Sequence, residues 1–176
     1  YTLTTAEQLA GLAALVSGGT DFAGVTVRLG ADISLAGDTK TGAPRVWTPI
    51  GTSIRRAFRG TFDAQSHKIT GLRAHNTGSN SALFGCAVDA VLRDLTLCGT
   101  AEGEASASYA AGLIAYASGC TIQSCAIYVD VTAAGTHAGG VAAYITGGTV
   151  LKSCTSYGAV RGTSGVGGLV GVCYSG

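Results

Sequence analysis

Apolar positions recur at a fixed interval along the second half of the chain. Gly167-Gly168-Leu169-Val170-Gly171 has weaker copies at Gly139-Gly140-Val141-Ala142-Ala143, Ala111-Gly112-Leu113-Ile114-Ala115 and Ser81-Ala82-Leu83-Phe84-Gly85, spaced by 28, 28 and 30 residues. A second phase runs beside the first. Leu92-Arg93-Asp94-Leu95, Ile122-Gln123-Ser124-Cys125 and Leu151-Lys152-Ser153-Cys154 each place two polar residues between apolar ones, 30 and 29 residues apart. A period of this size marks units that bury their apolar faces only by stacking on one another. Each unit holds about three apolar runs of roughly four to six residues, broken by glycine and too short for helix, so each predicts about three short strands.

A coil of three strands with right-handed crossovers predicts a right-handed parallel β-helix, here of about five coils of roughly 28–30 residues. Equivalent residues of successive coils then stack at about 4.8 Å. Leu92, Ile122 and Leu151 should form one internal ladder, Leu95, Cys125 and Cys154 a second, and Leu83, Leu113, Val141 and Leu169 a third. The pairs Gly139-Gly140 and Gly167-Gly168 fall at corners, where the backbone needs positive φ or where a side chain would strike the next coil.

The start of the chain has a different pattern. Leu9, Leu12, Ala13 and Val16 lie on one helical stripe, and Gly18-Gly19 supplies a stop. Thr4 with Glu7, or Thr5 with Gln8, has capping-box spacing. A stack has an open first coil, and a helix with one apolar face can close it. Residues 1–24 are therefore assigned as the capping helix and entry, and residues 25–176 as repeats of the same domain. Val25 to Leu29 and Asp32 to Leu35 alternate as first strands, Gly37 to Pro44 reads as a loop, and Trp47 to Gly51, Phe58 to Phe62 and Lys68 to Leu72 return to extended chain.

Composition agrees with a folded β-rich chain: 28 glycines, two prolines, no methionine and 12% charged residues among 176. No apolar run is long enough to span a membrane, and no signal peptide opens the chain, which reads as a mature or excised piece of a larger protein. A net charge of +1 gives no case for nucleic acid. The charge is unevenly spread, however. Lys40, Arg45, Arg55, Arg56, Arg59, Lys68 and Arg73 face Asp63 alone between residues 40 and 75, leaving the remainder acidic. Arginines on loops of a rigid scaffold can grip carboxylate or sulfate, so Arg55, Arg56, Arg59 and Arg73 are the ligand-binding candidates.

Gly167-Gly168-Leu169-Val170-Gly171 and its copies resemble the GLUG repeat. Trp47-Thr48-Pro49-Ile50-Gly51, Phe58-Arg59-Gly60-Thr61-Phe62-Asp63 and Ile69-Thr70-Gly71-Leu72 look like the segment that commonly precedes such repeats. The resemblance covers residues 5–176. It implies a large secreted or surface-attached bacterial protein, such as those with repeats upstream of an IgA-specific metallopeptidase domain, and an adhesin or spacer role with host glycan or matrix protein as partner. Asp63-Ala64-Gln65 departs from the usual Asp-Gly turn, and Ala142-Ala143 weakens one copy.

β-Helices also carry polysaccharide lyases and glycoside hydrolases, whose sites need acids converging on one face. Glu7, Asp21, Asp32, Asp38, Asp63, Asp89, Asp94 and Asp130 are scattered singly, and Glu102-Gly103-Glu104 reads as a loop tip. Asp63 and Asp94 could stack on adjacent coils. His67, His75 and His137 have no acid nearby in sequence, and no zinc, nucleotide or serine-nucleophile motif occurs, so no catalytic residue, metal or cofactor is assigned. Six cysteines suit an oxidising compartment and allow 15 pairings. In-register Cys125 and Cys154 would sit slightly too far apart for a bridge and are expected as thiols. Tyr116 and Tyr144, at the repeat spacing, are expected as a stacking ladder rather than a sugar platform. A regular Thr-x-Thr array of the ice-binding kind is lacking. The open last coil is expected to be an edge prone to self-association. A noncatalytic adhesin or spacer is the leading expectation, and an enzyme acting on acidic polysaccharide the alternative.

Overall fold

A computed structural model describes residues 1–37, 45–76, 80–104, 109–135 and 137–174. The loop expected at residues 37–44, with Asp38 and Lys40, lies outside them except for Gly37. The chain forms the expected parallel β-solenoid of about five turns behind an N-terminal helix. Strands Thr26–Leu29, Thr61–Asp63, Val91–Arg93, Thr121–Gln123 and Val150–Lys152 stack as the first face, with Thr2–Leu3 added at its edge. The second face carries Ile33–Ser34, Lys68–Asn76, Thr96–Gly103, Ala126–Ala133 and the pair Thr155–Ser156 and Val160–Gly162.

Two further faces follow where one strand was expected. Tyr109–Ala111, His137–Gly139 and Val166–Gly167 form the third, and Phe84–Val88, Ile114–Ser118, Ala142–Thr146 and Val170–Cys173 the fourth. The corner between them is tight because the turning residues lie against the next coil. A Cβ on Gly112 would come 2.5 Å from the Gly140 carbonyl oxygen, and one on Gly140 would come 2.2 Å from that of Gly168. Close approach, rather than positive φ, accounts for glycine here. That corner divides each of the last three coils into four segments instead of three.

The core is built as rungs. Leu92, Ile122 and Leu151 are register partners, continued upstream by Phe62 and Val27. Leu95 and Cys125 are buried in the same core with Cys154 packed against it. Backbone amides of Leu113 and Val141 donate to the carbonyls of Val141 and Leu169, so the third ladder also has the expected register. Leu83, Leu113 and Val141 are buried, whereas Leu169 in the last coil is exposed. Full burial of each such side chain stabilises by about 1.5–3 kcal/mol, so the stack rather than any single coil carries the fold.

The helix spans Ala6–Ser17. Thr5 is its N-cap, accepting from the Gln8 amide at 3.3 Å, and Gln8 Oε1 accepts from the Thr4 amide at 2.7 Å, so the Thr5 and Gln8 pairing is the one used. Leu9, Leu12, Ala13 and Val16 are buried in one cluster with Phe22, Val27 and Leu29. The apolar stripe thus covers the first coil. No helix among the described residues is long and apolar enough to cross a membrane.

Candidate ligand groove

Between two extended stretches the chain leaves the coil. Ile50 pairs with Phe84 and Phe58 with Ala87, both as parallel bridges, so residues 50 and 58 belong to the fourth face. The residues between them cannot follow that face and instead turn back on themselves. Arg56 donates its amide to the Ser53 carbonyl at 3.0 Å, and Thr52 donates to the Arg56 carbonyl at 3.1 Å. Gly51 starts the excursion with φ 77°, and a Cβ there would lie 2.2 Å from the Cys86 carbonyl oxygen. Only glycine meets both conditions. Ile54 and Arg55 form the exposed tip.

Beneath this turn lies an aromatic cluster. Tyr116 and Tyr144 are register partners on the fourth face, with ring centroids 5.5 Å apart and planes within 6°. On the third face His137 pairs with Tyr109, and their rings stack at 5.2 Å. The two rows meet, Tyr109 lying 5.6 Å from Tyr144 and 6.4 Å from Tyr116. The expected tyrosine ladder is therefore real and is joined by a second. A groove of about 520 Å³ opens between this cluster and the turn, lined by Ser53, Ile54, Arg55, Asn80, Cys86, Tyr109 and Tyr116. That volume suits a small ligand. Burial raises the Tyr116 hydroxyl pKa, with Cys86 and Tyr144 adding to it, and burial pushes the Cys86 thiol up to about 12.

The four candidate arginines are not one patch. Arg55 lines the groove, with no hydrogen bond or ion pair to the described residues. Arg56 donates to the Ser17 carbonyl, tying the turn to the end of the capping helix. Arg59 pairs with Asp89 at 3.5 Å. Arg73 projects from the second face, in a row with Thr100 and Asp130. The sequence marks His137 only as an isolated histidine and does not point to Tyr109 or Asn80 as groove residues. Tyr109 and His137 stand 28 residues apart, so the repeat period was the available signal.

Most of the acids have structural partners. Asp63 meets Arg93, not Asp94, at 2.8 Å, because residue 63 is in register with residue 93. Asp94 takes the positive-φ corner that Ser124 and Ser153 take in later coils. Asp32 accepts from the Lys68 amide at 2.9 Å and meets His67 at 3.1 Å, both of which lower its pKa. Asp21 and Asp130 accept from the amides of Ala23 and Ala159. His75 contacts Glu102 and Glu104 at 3.8 and 3.1 Å, so His67 and His75 have acidic partners that lie far away in sequence. Among the described residues no three His, Cys, Asp or Glu side chains gather as a metal set.

Cys86, Cys98, Cys120, Cys125, Cys154 and Cys173 are all free thiols. Cys125 and Cys154 occupy neighbouring corners, each donating to a backbone carbonyl two residues before it, at 3.3 Å.

Fold and groove together define a repeat solenoid with a ligand-sized opening at one corner. Comparison with protein-family models, curated proteins and solved structures finds no match for the chain.

Proposed function

We propose that this chain is a noncatalytic β-solenoid module of the GLUG-repeat kind, part of a larger secreted or cell-surface bacterial protein, which displays loops for binding or serves as a spacer. The observation that carries this reading is Arg55, presented without a hydrogen bond or ion pair to the described residues on a hydrogen-bonded turn above the Tyr109 and Tyr116 rings. A rigid scaffold holding an unpaired guanidinium beside aromatic surface is suited to recognition of anionic glycan or matrix protein.

The rival reading is a lyase or hydrolase of acidic polysaccharide. The separate structural partners of Asp21, Asp32, Asp63 and Asp130 favour the binding reading, because catalysis of that class needs two or more carboxyl groups free to converge. The test is incubation with pectin-like and other acidic polymers. Polymer retained with no new reducing ends or unsaturated product is the expected result, and steady product release overturns the reading.

A further inference from the structure

Outward side chains of the fourth face form a row through Tyr144, Tyr116 and Cys86. Tyr144 covers one face of the Tyr116 ring, so the other face is directed at the rung of Cys86. A third ring would continue the stack there, but the position holds only a small thiol beneath the Ser53 to Arg56 turn. The neighbouring row ends at the same level. His137 stacks on Tyr109, and the next rung is the chain at Asn80 and Ser81, where Ser81 pairs with Ala110 and donates its amide to the Tyr109 carbonyl. The groove is a missing rung shared by two aromatic ladders.

We propose that this missing rung binds a carboxylated pyranose, such as a hexuronate unit of an acidic polysaccharide, with its ring against Tyr109 and Tyr116 and its carboxylate on Arg55. Three features select that chemistry. The Tyr109 and Tyr116 planes are inclined by 39°, so they form a shallow trough. A puckered ring can set C–H groups against both electron-rich faces, whereas a flat aromatic ligand could lie on one only. The planar guanidinium of Arg55, with no competing carboxylate among the described residues, matches a ligand carboxylate through two parallel hydrogen bonds. Ser53 and Asn80 place polar groups at the rim, and Asn80 is held by donating to the Gly85 carbonyl at 2.9 Å. A ring bearing hydroxyls has partners there that an apolar ligand lacks.

This inference rests on the binding reading above but fails separately from it. Isotope-labelled protein is titrated with trigalacturonate, maltotriose and benzoate while its amide and aromatic resonances are followed. Trigalacturonate is expected to shift signals of Tyr109, Tyr116 and Asn80, with maltotriose binding about tenfold more weakly, the scale of one charge-assisted hydrogen bond. Arg55→Gln should lose about tenfold in affinity for trigalacturonate with an unchanged melting temperature, since the side chain has no hydrogen bond or ion pair to the described residues to lose, and Arg73→Gln should change neither. The proposal is overturned if trigalacturonate shifts nothing in the groove, if maltotriose binds equally well, if benzoate binds most tightly, or if Arg55→Gln binds like the parent. Any of those results alongside Arg55-dependent capture of another ligand would leave the module reading intact. Cleavage of the polymer would instead contradict the module reading.

Discussion

The guanidinium of Arg93 meets the carboxylate of Asp63 at 2.8 Å across adjacent coils, and the Asp63 side chain is almost wholly covered. Arg28 is its register partner on the other side, so the row reads positive, negative, positive. Asp63 also accepts from the Gln65 amide at 3.1 Å, anchoring a turn in which Gln65 and Ser66 both have positive φ and His67 donates to the Ala64 carbonyl. That is a type I′ arrangement, usually built with Asn or Gly. Asp63→Ala is expected to cost about 1–3 kcal/mol in urea unfolding, from the lost ion pair with half-buried Arg93 and a turn left unanchored. Arg93→Gln should cost at least as much, because it leaves the covered Asp63 carboxylate without its charge partner.

Leu12 faces the first coil from the capping helix and is almost fully buried. Leu12→Asp should lower the stability of the whole solenoid by about 3 kcal/mol or more, through lost apolar burial and a buried unpaired carboxylate. Thermal unfolding followed by circular dichroism checks it, and a near-unchanged melt would remove the helix from the core.

Two glycines of the repeat should behave oppositely. A Cβ on Gly139 would lie 1.9 Å from the Ala142 carbonyl oxygen, whereas one on Gly168 meets nothing within 4 Å. Gly139→Ala is expected to destabilise by about 2 kcal/mol or more, while Gly168→Ala should fall within about 0.5 kcal/mol of the parent in the same denaturant series.

The legible part of this fold was whatever the period itself encodes. Leu92, Ile122 and Leu151 share a rung because one apolar face repeats at coil length, and the helix declared itself through Leu9, Leu12, Ala13 and Val16. The fourth face was not legible, since the corner at Gly112 and Gly140 depends on how closely the next coil approaches. The contacts of the basic segment were hidden for a related reason. Arg56 and Arg59 find partners at Ser17 and Asp89, 39 and 30 residues away, which charge patterning along the chain does not reveal. The sequence marks Arg55 as a candidate only together with Arg56, Arg59 and Arg73, and does not show its aromatic floor. The floor forms only when Tyr109 and Tyr116 arrive from a later coil.

Cysteine reactivity offers a check on packing. Cys86 is buried and its thiol is pushed up to about 12, so it should resist alkylation through mildly alkaline pH. The neighbouring Cys154 thiol, together with burial, holds Cys125 above the ordinary thiol range, whereas Cys125 beside it lowers Cys154. Cys154 should therefore form thiolate, and react, at lower pH than an ordinary thiol. Iodoacetamide labelling with peptide mass spectrometry gives the order: Cys154 and Cys173 first, Cys86, Cys120 and Cys125 last.

The central claim is that the solenoid binds through the tip of the turn at Arg55. Parent, Arg55→Ala and Arg56→Ala proteins applied to arrays of anionic glycans and matrix proteins, each with its melting temperature recorded, test it most directly. The account predicts that Arg55→Ala loses binding at an unchanged melting temperature, and that Arg56→Ala keeps binding but melts lower because its link to Ser17 is gone. Binding by Arg55→Ala equal to that of the parent would contradict it.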